Sequence, residues 1–313
     1  MLCKWFASKK EEIKQEQESK SDFDMRSYII QELNKRLLLG VNVEFTYNGI
    51  TYAFDGEAKD KVSLIKIEED AIKRLDGVLH IDWVDTIGEY AFEFSESLRE
   101  FYSNSVQIVH AYAFWRCNNL VIFYAPMVQT IDEFAFSSCK GLRTLEVANC
   151  GLIKNQAFSG CVALLSVSLP FVAELSSRAF TNCYNLRKIS APRLKKVGNS
   201  CFENCIFLKK VTFLELETPA DELFKNCKAL EIVELPRVSY YVDTMFNGCN
   251  NIRELIMPTV TISVSVLREM THLEEVCVSW IVRNRGESRY ETQPLPSFII
   301  ENAINRYAIN LDS

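Results

Sequence analysis

The chain has 313 residues, of which 48% are hydrophobic and 24% are charged, a composition typical of a folded protein with a large apolar core. Its formal net charge of −6 argues against a nucleic acid as partner. No stretch approaches the roughly 18–20 consecutive apolar residues of a transmembrane helix, and the first residues lack the apolar core of a signal peptide. We therefore expect a cytoplasmic protein, with the cell surface, reached by non-classical export, as the alternative.

Three elements are predicted in the first 60 residues. Residues 1–22 mix lysines with glutamates and are predicted to form a charged flexible tail. Apolar residues at near-helical spacing then predict a helix, and two alternating runs that meet at Asn48-Gly49 predict a β-hairpin. We interpret residues 23–60 as a helix and hairpin that cap the region after them, because a bare solenoid end would expose an unpaired strand edge. A separate binding domain is the alternative.

A phenylalanine recurs every 22 residues through the centre of the chain, and a leucine or isoleucine follows each one by six residues. A fixed period of this length is typical of a solenoid, in which neighbouring coils bury their apolar faces against each other. The phenylalanines are Phe92, Phe114, Phe136, Phe158, Phe180, Phe202, Phe224 and Phe246. A cysteine follows seven of them by three residues, at Cys117, Cys139, Cys161, Cys183, Cys205, Cys227 and Cys249. We expect these cysteines to be buried free thiols that pack as small apolar residues, with disulfide bridges as the alternative.

Each repeat contains two predicted elements. The L-x-x-V-x-L part alternates and predicts a short parallel strand, with inward residues such as Val167 and Leu169. The A-F-x-x-C-x-x-L part predicts a helical turn, short or of the 3₁₀ type, with its phenylalanine, cysteine and leucine facing inward. A proline, which has no N–H to donate, is predicted to end the strand at Pro126, Pro170, Pro192, Pro236 and Pro258.

The solenoid is predicted to span residues 61–280. Its first part, 61–86, contains degenerate coils. A ninth copy at its end matches the repeat only partly and carries Leu267 at the phenylalanine position, one residue early. Residues 281–313 are predicted to form a loop and a C-terminal capping helix.

The unit I-x-x-x-A-F-x-x-C-x-x-L-x-x-V-x-L-P resembles the leucine-rich repeats of the BspA-like class, also called the Treponema pallidum type. The resemblance is close over residues 84–260 and looser over 61–280, and Ser95 departs from it by replacing the first cysteine. It implies an α/β repeat solenoid, a right-handed leucine-rich-repeat array of about 8–10 coils with short parallel strands. It also implies a binding scaffold, and some members of the family are surface adhesins of bacteria and of parasitic protists.

The candidate partner-binding residues are those that face outward from the strands, eight and ten residues after each phenylalanine. Tyr102 and Tyr124, with Ile122, are expected to form an exposed aromatic–aliphatic spot; the alternative is that the tyrosines only stabilise neighbouring strands. Glu146 belongs to the same row as the tyrosines.

Charge is distributed unevenly along the repeats. Residues 82–107 are acidic, whereas residues 187–211 hold seven basic side chains against one acidic side chain. We expect Lys188, Lys195 and Lys210 to attract an acidic protein partner, with a merely solvated surface as the alternative.

The sequence gives little support for catalysis. It has three histidines and no metalloprotease, phosphate-loop or serine-hydrolase motif. We therefore expect no catalytic, cofactor-binding or metal-binding residues and no cofactor. The predicted function is a non-catalytic protein–protein interaction scaffold whose partner binds the strand-lined face. A surface or secreted adhesin of the BspA-like type is the alternative, and a regulatory subunit of an enzyme is less favoured.

Overall fold

The computed structural model describes residues 24–38, 44–55 and 61–282. The predicted tail and all but the first two residues of the predicted C-terminal loop and helix lie outside the described residues. The described helices are α1 (Met25–Leu38), α2 (Glu69–Arg74) and α3 (Val264–Glu269). The described strands are β1 (Glu44–Tyr47), β2 (Ile50–Phe54), β3 (Val62–Ile67), β4 (Val78–His80), β5 (Thr86–Ile87), β6 (Glu100–Tyr102), β7 (Ile108–Val109), β8 (Ile122–Tyr124), β9 (Thr130–Ile131), β10 (Thr144–Glu146), β11 (Leu152–Ile153), β12 (Ser166–Ser168), β13 (Glu174–Leu175), β14 (Lys188–Ser190), β15 (Lys196–Val197), β16 (Lys210–Thr212), β17 (Ile232–Glu234), β18 (Glu254–Ser263) and β19 (Glu275–Val282).

The chain forms the predicted leucine-rich-repeat solenoid of about 10 turns with coils of about 22 residues. Each central coil has three sides. On the strand-lined side, three-residue strands and the longer β18 and β19 form two sheets, ordered β4-β6-β8-β10 and β12-β14-β16-β17-β18-β19. On the second side, two-residue strands form most of a sheet ordered β1-β2-β3-β5-β7-β9-β11-β13-β15. The third side, called the turn side below, consists of hydrogen-bonded turns around each repeat phenylalanine.

The predicted N-terminal helix and hairpin are present, and the hairpin extends the sheet of two-residue strands. Strand β2 pairs antiparallel with β3, and β3 pairs in parallel with β5. Asn48 and Gly49 have φ angles of 52° and 80°, the positive values that a tight hairpin turn requires. The hairpin therefore continues the ladder of hydrogen bonds beyond the first short strand.

Helix α1 is tied to the start of the solenoid by one carboxylate. Arg26 Nη1 lies 2.8 Å from Asp85 Oδ2, and the same oxygen accepts a hydrogen bond from the Val62 N–H at 2.8 Å. The apolar side of the helix buries Ile29 and Leu33. The helix, the sheet and the first coil therefore meet at Asp85.

The repeat phenylalanines form one continuous buried stack, as the sequence predicts. Neighbouring rings are nearly parallel, with centroids 4.7 Å apart at Phe92–Phe114 and 5.7 Å apart at Phe224–Phe246. Phe123, from strand β8, packs edge-on against this stack, 5.3 Å from Phe114. Each repeat phenylalanine exposes 4% of its surface or less, so the stack is the core of the solenoid.

The turns around these phenylalanines match the predicted helical turn only in part. The Glu93 and Ser95 N–H groups donate three residues back, to the Tyr90 and Phe92 carbonyls at 3.1 and 3.0 Å, as in a 3₁₀ turn. The N–H groups between them donate to the next coil: Phe92 donates to the Ala113 carbonyl at 2.8 Å, and Phe94 donates to the Trp115 carbonyl at 2.9 Å. Positive φ angles two residues before and two residues after the phenylalanine turn the N–H groups in this direction. These residues are Tyr90, Phe94, Tyr112, Arg116, Phe134, Ser138, Gln156, Gly160, Arg178, Asn182, Ser200, Asn204, Glu222, Asn226 and Gly248.

The repeat cysteines are buried free thiols, and they are hydrogen-bond donors as well as apolar residues. The Cys161 Sγ donates to the Phe136 carbonyl of the preceding coil at 3.2 Å. The same contact recurs for all seven cysteines of the repeats. In the first full coil, Ser95 replaces the cysteine and donates to Glu69 Oε2 at 2.7 Å. No coil with a repeat phenylalanine precedes this one, so the carbonyl that accepts from the other cysteines is missing. Helix α2 lies there instead, and its Glu69 carboxylate accepts the hydrogen bond from Ser95.

The last described coils lose the regular pattern. Four prolines follow the strand ends as predicted, but Pro258 lies inside β18, beside a register shift between Met257 and Thr261. The prediction that Pro258 ends its strand is therefore wrong. Leu267, at the phenylalanine position of the ninth copy, is buried on α3, so a helix replaces the turn in this coil.

Candidate functional site

The candidate binding surface is the strand-lined side of the solenoid. In each three-residue strand the middle residue faces the core, and the first and third residues face away from it, at the two predicted positions. In β12, Val167 exposes 3% of its surface, whereas Ser166 and Ser168 on either side of it are exposed. Parallel pairing aligns equivalent residues of successive coils, for example Ser166 with Lys188. The outward residues therefore form two rows across the strands.

The aromatic part of this surface is less exposed than expected. Tyr102 and Ile122 expose only 8% and 9% of their surface, and Tyr124 is half-buried. The expectation of an exposed aromatic–aliphatic spot is therefore wrong for Tyr102 and Ile122. The Tyr102 ring lies 4.6 Å from His80 and 6.1 Å from Tyr124, centroid to centroid, so side chains on adjacent strands cover each other.

Hydrogen bonds and burial also hold the polar groups of this part. Tyr102 donates to Glu100 Oε2 at 2.6 Å, and burial together with this contact raises the pKa of its hydroxyl. Burial, followed by the nearby Glu146 carboxylate, raises the pKa of Tyr124, and burial raises the pKa of Glu146 itself. Tyr102 therefore contributes to the packing of the first coils and presents little free polar surface, whereas Tyr124 and Glu146 are half-buried.

The central coils present an open surface on the same side. The outward residues of β12 and β14 are all exposed, and so is Lys210 at the start of β16. Lys188 and Lys210 lie next to each other on paired strands. Like charges in adjacent positions repel each other, so folding alone does not favour this pair.

The structure brings together only two of the three predicted lysines. Lys210 Nζ lies 2.9 Å from Glu234 Oε1, and the hydrogen bond from Lys210 is the main reason that the pKa of Glu234 is lowered. Lys188 forms no ion pair with any described residue. Lys195 lies directly before β15, where its N–H donates to the Ala173 carbonyl at 2.9 Å, so it belongs to the side of the two-residue strands.

A groove of about 580 Å³ lies where the N-terminal elements meet the first coil. Its walls include Tyr52 of the hairpin, Arg74 of α2 and His80 of β4. The Trp83 Nε1–H donates to the Tyr52 hydroxyl at 3.2 Å, and burial raises the pKa of Tyr52 to about 12. The groove could not be predicted from the sequence because its walls come from elements that lie far apart in the chain.

Neither a metal site nor a membrane span is found in the part of the chain that the structure describes. Within 24–38, 44–55 and 61–282, no group of three histidine, cysteine, aspartate or glutamate side chains could hold a metal ion. None of the helices in these ranges has both the length and the apolar content to span a bilayer.

Comparisons with known proteins agree with the repeat architecture. The model of the BspA type leucine rich repeat region matches residues 74–186 and 173–295. The crystal structure of the T. pallidum leucine rich repeat protein is similar, with 23% identity and a TM-score of 0.50 over 60% of this chain and 90% of that one. A leucine rich cell surface protein from Faecalibacterium prausnitzii has 15% identity and a TM-score of 0.42, over 77% of this chain and 95% of that one. No curated protein matches the chain.

The family match covers well over half of the chain, and its repeats coincide with the coils of the structure. The chain therefore belongs to the BspA type of leucine-rich repeat proteins.

Proposed function

We propose that this protein is a non-catalytic interaction scaffold whose partner binds the strand-lined side of the central coils. Leucine-rich repeat domains generally bind proteins, and this family is typically non-catalytic. The observation that carries the proposal is the row of exposed outward residues on β12, β14 and β16, beside strand centres that are buried. Successive side chains of a strand point to opposite faces, so these residues do not pack in the core. Their identity can therefore vary to fit a partner.

The chemistry of this row favours an acidic protein surface. Lys188 and Lys210 are adjacent, and Arg187 and Lys209 lie directly before them in the chain and are exposed. A partner carboxylate between the two lysines would reduce their mutual repulsion and would also attract the partner from a distance. The small residues Ser166, Ser168 and Ser190 leave room for close approach beside the lysines.

Charge reversal on this row tests the proposal with a labelled glutamate-rich peptide as probe. Fluorescence anisotropy at low salt would measure the affinity of the full chain and of a Lys188→Glu/Lys210→Glu variant. We expect at least a roughly tenfold loss of affinity in the variant, and weaker binding of the wild type as salt is added.

A matched control makes the same change in net charge on the turn side, where Lys140 and Lys228 are exposed. The Lys140→Glu/Lys228→Glu variant should bind almost as the wild type does, and so should Lys195→Glu. Equal losses in the control and in the strand-side variant would mean that only the total charge matters, and this result would reject the proposed surface.

A further inference from the structure

A set of exposed and half-buried side chains, most of them aromatic, lies on the turn side of the first three full coils. Tyr90 and Phe94 each expose 48% of their surface, although both are large and apolar. Four more side chains adjoin them in the next two coils. We call this set the aromatic surface, and it consists of Tyr90, Phe94, Tyr112, Trp115, Arg116 and Phe134.

The rings of the aromatic surface are ordered. The Tyr90 and Tyr112 rings are stacked with centroids 5.1 Å apart, and the Tyr112 and Phe134 rings are stacked at 4.9 Å. Trp115 packs edge-on against Tyr112 at 5.7 Å. At the N-terminal end of this stack, Tyr90 makes its ring contact with Tyr112 alone among the described residues, so a large ring surface remains available.

The backbone conformation at these positions is unfavourable for such side chains. Tyr90, Phe94, Tyr112 and Phe134 have φ angles between 57° and 58°, in the left-handed region that bulky residues rarely adopt. The same left-handed conformation recurs in later coils, for example at Gln156 and Glu222, so it belongs to the repeat backbone and not to this surface alone. What distinguishes the first three coils is that bulky rings occupy positions where they are costly.

The later coils show that the fold does not require aromatic residues here. Asn182, Asn204 and Asn226 occupy the position equivalent to Phe94, and asparagine tolerates the left-handed region. The Asn204 amide donates to Asn182 Oδ1 at 2.8 Å, and the Asn226 amide donates to Asn204 Oδ1 at 3.0 Å. The same backbone is thus satisfied by a less strained residue.

Arg116 shows which chemistry the rings can bind. Its guanidinium carbon lies 4.7 Å from the Trp115 ring centroid and 5.5 Å from that of Phe94. Cations are attracted to the faces of aromatic rings at these distances, and arginine makes this contact most often. The aromatic surface therefore already holds one cationic group.

Acidic side chains flank these rings. Glu89 directly precedes Tyr90 in the chain, and Glu93 directly precedes Phe94. Glu96 follows Phe94 by two residues, and Glu133 directly precedes Phe134. None of these four carboxylates forms an ion pair within the described ranges, and all four are exposed or half-buried. Their charge is available to a cation that approaches the rings.

We propose that the aromatic surface binds a basic segment of a partner protein. Arginine or lysine side chains of the segment stack on the Tyr90 and Phe94 rings, and their charges pair with the surrounding glutamates. The surface lies on the turn side, so this binding is independent of the acidic partner proposed for the strand-lined side.

The test uses the full chain and a fluorescein-labelled peptide of alternating glycine and arginine. Fluorescence anisotropy would measure its affinity for the wild type and for a Tyr90→Asn/Phe94→Asn variant, which leaves the net charge unchanged. We expect the variant to lose about tenfold or more in affinity. Thermal melting by circular dichroism should show an unchanged or higher midpoint, because asparagine suits both backbone positions.

The control is Phe171→Asn, since Phe171 is 46% exposed and also contacts an arginine, with the Arg193 guanidinium 4.9 Å from its ring. This variant should bind the peptide as the wild type does. A second variant, Glu89→Gln/Glu93→Gln/Glu96→Gln, should bind more weakly and with less dependence on salt.

Two results would overturn the proposal. One is a wild-type chain that does not bind the peptide. The other is a Tyr90→Asn/Phe94→Asn variant that binds with wild-type affinity while the glutamine variant loses binding, because the interaction would then be a general attraction between opposite charges.

Discussion

Two aromatic stacks run side by side through the first coils, one inside the solenoid and one outside it. The inner stack, from Phe92 onward, repeats in all eight full coils and is buried throughout. The outer stack, from Tyr90 to Phe134, lies two residues away in the chain and gives way to other residue types after the third coil. The core of the solenoid requires phenylalanine at every position of the inner stack. At the positions of the outer stack, the same backbone conformation occurs with several residue types in later coils. A repeated residue in this molecule therefore indicates the fold, and a residue that stops repeating indicates a surface.

The largest expected effect breaks the inner stack. Phe158→Ala should lower the free energy of unfolding by about 3–5 kcal/mol, because it leaves a cavity between two stacked rings. Urea denaturation followed by circular dichroism would measure the loss. Phe171→Ala, on the exposed surface, serves as control and should stay within about 0.5 kcal/mol of the wild type. Equal losses in the two variants would contradict the assignment of the stack as core.

A smaller effect is expected beside the inner stack. Cys161→Ala should destabilise the chain by about 1–2 kcal/mol, because it removes a buried sulfur and the hydrogen bond to the Phe136 carbonyl. The same urea experiment would measure it. Cys161→Val keeps the apolar volume without the donor, so the difference between the two variants separates packing from hydrogen bonding. An Ala variant as stable as the wild type would show that the thiol contributes neither.

The outer stack should respond in the opposite direction. Phe94→Asn removes a left-handed bulky residue, which relieves about 1–2 kcal/mol of strain, and it loses exposed ring contacts worth about 0.5–1 kcal/mol. The free energy of unfolding should therefore rise by up to about 1 kcal/mol. Phe94→Leu keeps the strain and should not stabilise. A clear loss of stability in Phe94→Asn would show that the outer stack contributes to folding after all.

The smallest effect concerns His110 and the two aspartates beside it, which are half-buried on the side of the two-residue strands. His110 Nδ1 lies 3.2 Å from Asp132 Oδ2, and His110 Nε2 lies 3.5 Å from Asp55 Oδ1, at the end of the hairpin. The hydrogen bond with Asp132, opposed by burial and reinforced by the charge of Asp55, raises the pKa of His110 above its ordinary value. A group whose pKa is raised on folding stabilises the protein fully below its unfolded pKa, and this contribution is lost as pH rises through the folded value.

We therefore expect stability to fall slightly, by less than about 1 kcal/mol, as pH rises above about 6.5. Thermal melting at pH 6 and pH 8 would measure the difference. His110→Gln should abolish this part of the pH dependence, while His272→Gln should leave it unchanged. A wild-type melting point that is the same at both pH values would contradict the contact between the hairpin and the coils through His110.

The period, the inward positions and the strand positions could be predicted because a solenoid places equivalent residues in equivalent environments. Phe158, Val167 and Cys161 each have the burial that their place in the repeat predicts. The left-handed turn residues could not be predicted, because their two positions carry residues as different as Tyr90, Gln156 and Gly248. No local pattern marks a backbone conformation that the next coil stabilises through hydrogen bonds.

The candidate site was predictable in position but only partly in exposure. Alternation gave the outward positions correctly, and Lys188 is exposed. Tyr102 is buried because its ring packs against those of His80 and Tyr124 on adjacent strands. The alternation pattern within one strand does not show the size of a neighbour one coil away. Ile122 is buried as well. The two-residue strands were missed because two residues are too few to show alternation. The predicted domain boundaries stay a prediction, and so does the role of the candidate residues in partner binding.

The buried thiols can report the opening of single coils, because almost every full coil contains one. Burial raises the pKa of Cys183 to about 12, and the equivalent thiols of other coils are shifted in the same direction. The thiolate is the nucleophile that attacks an alkylating reagent, so each cysteine reacts only when its own coil opens. Mass spectrometry of a timed alkylation would then rank the coils by their opening free energies. For the same reason, thiols inside this stack can remain reduced in an oxidising compartment, and their survival does not identify where the protein works.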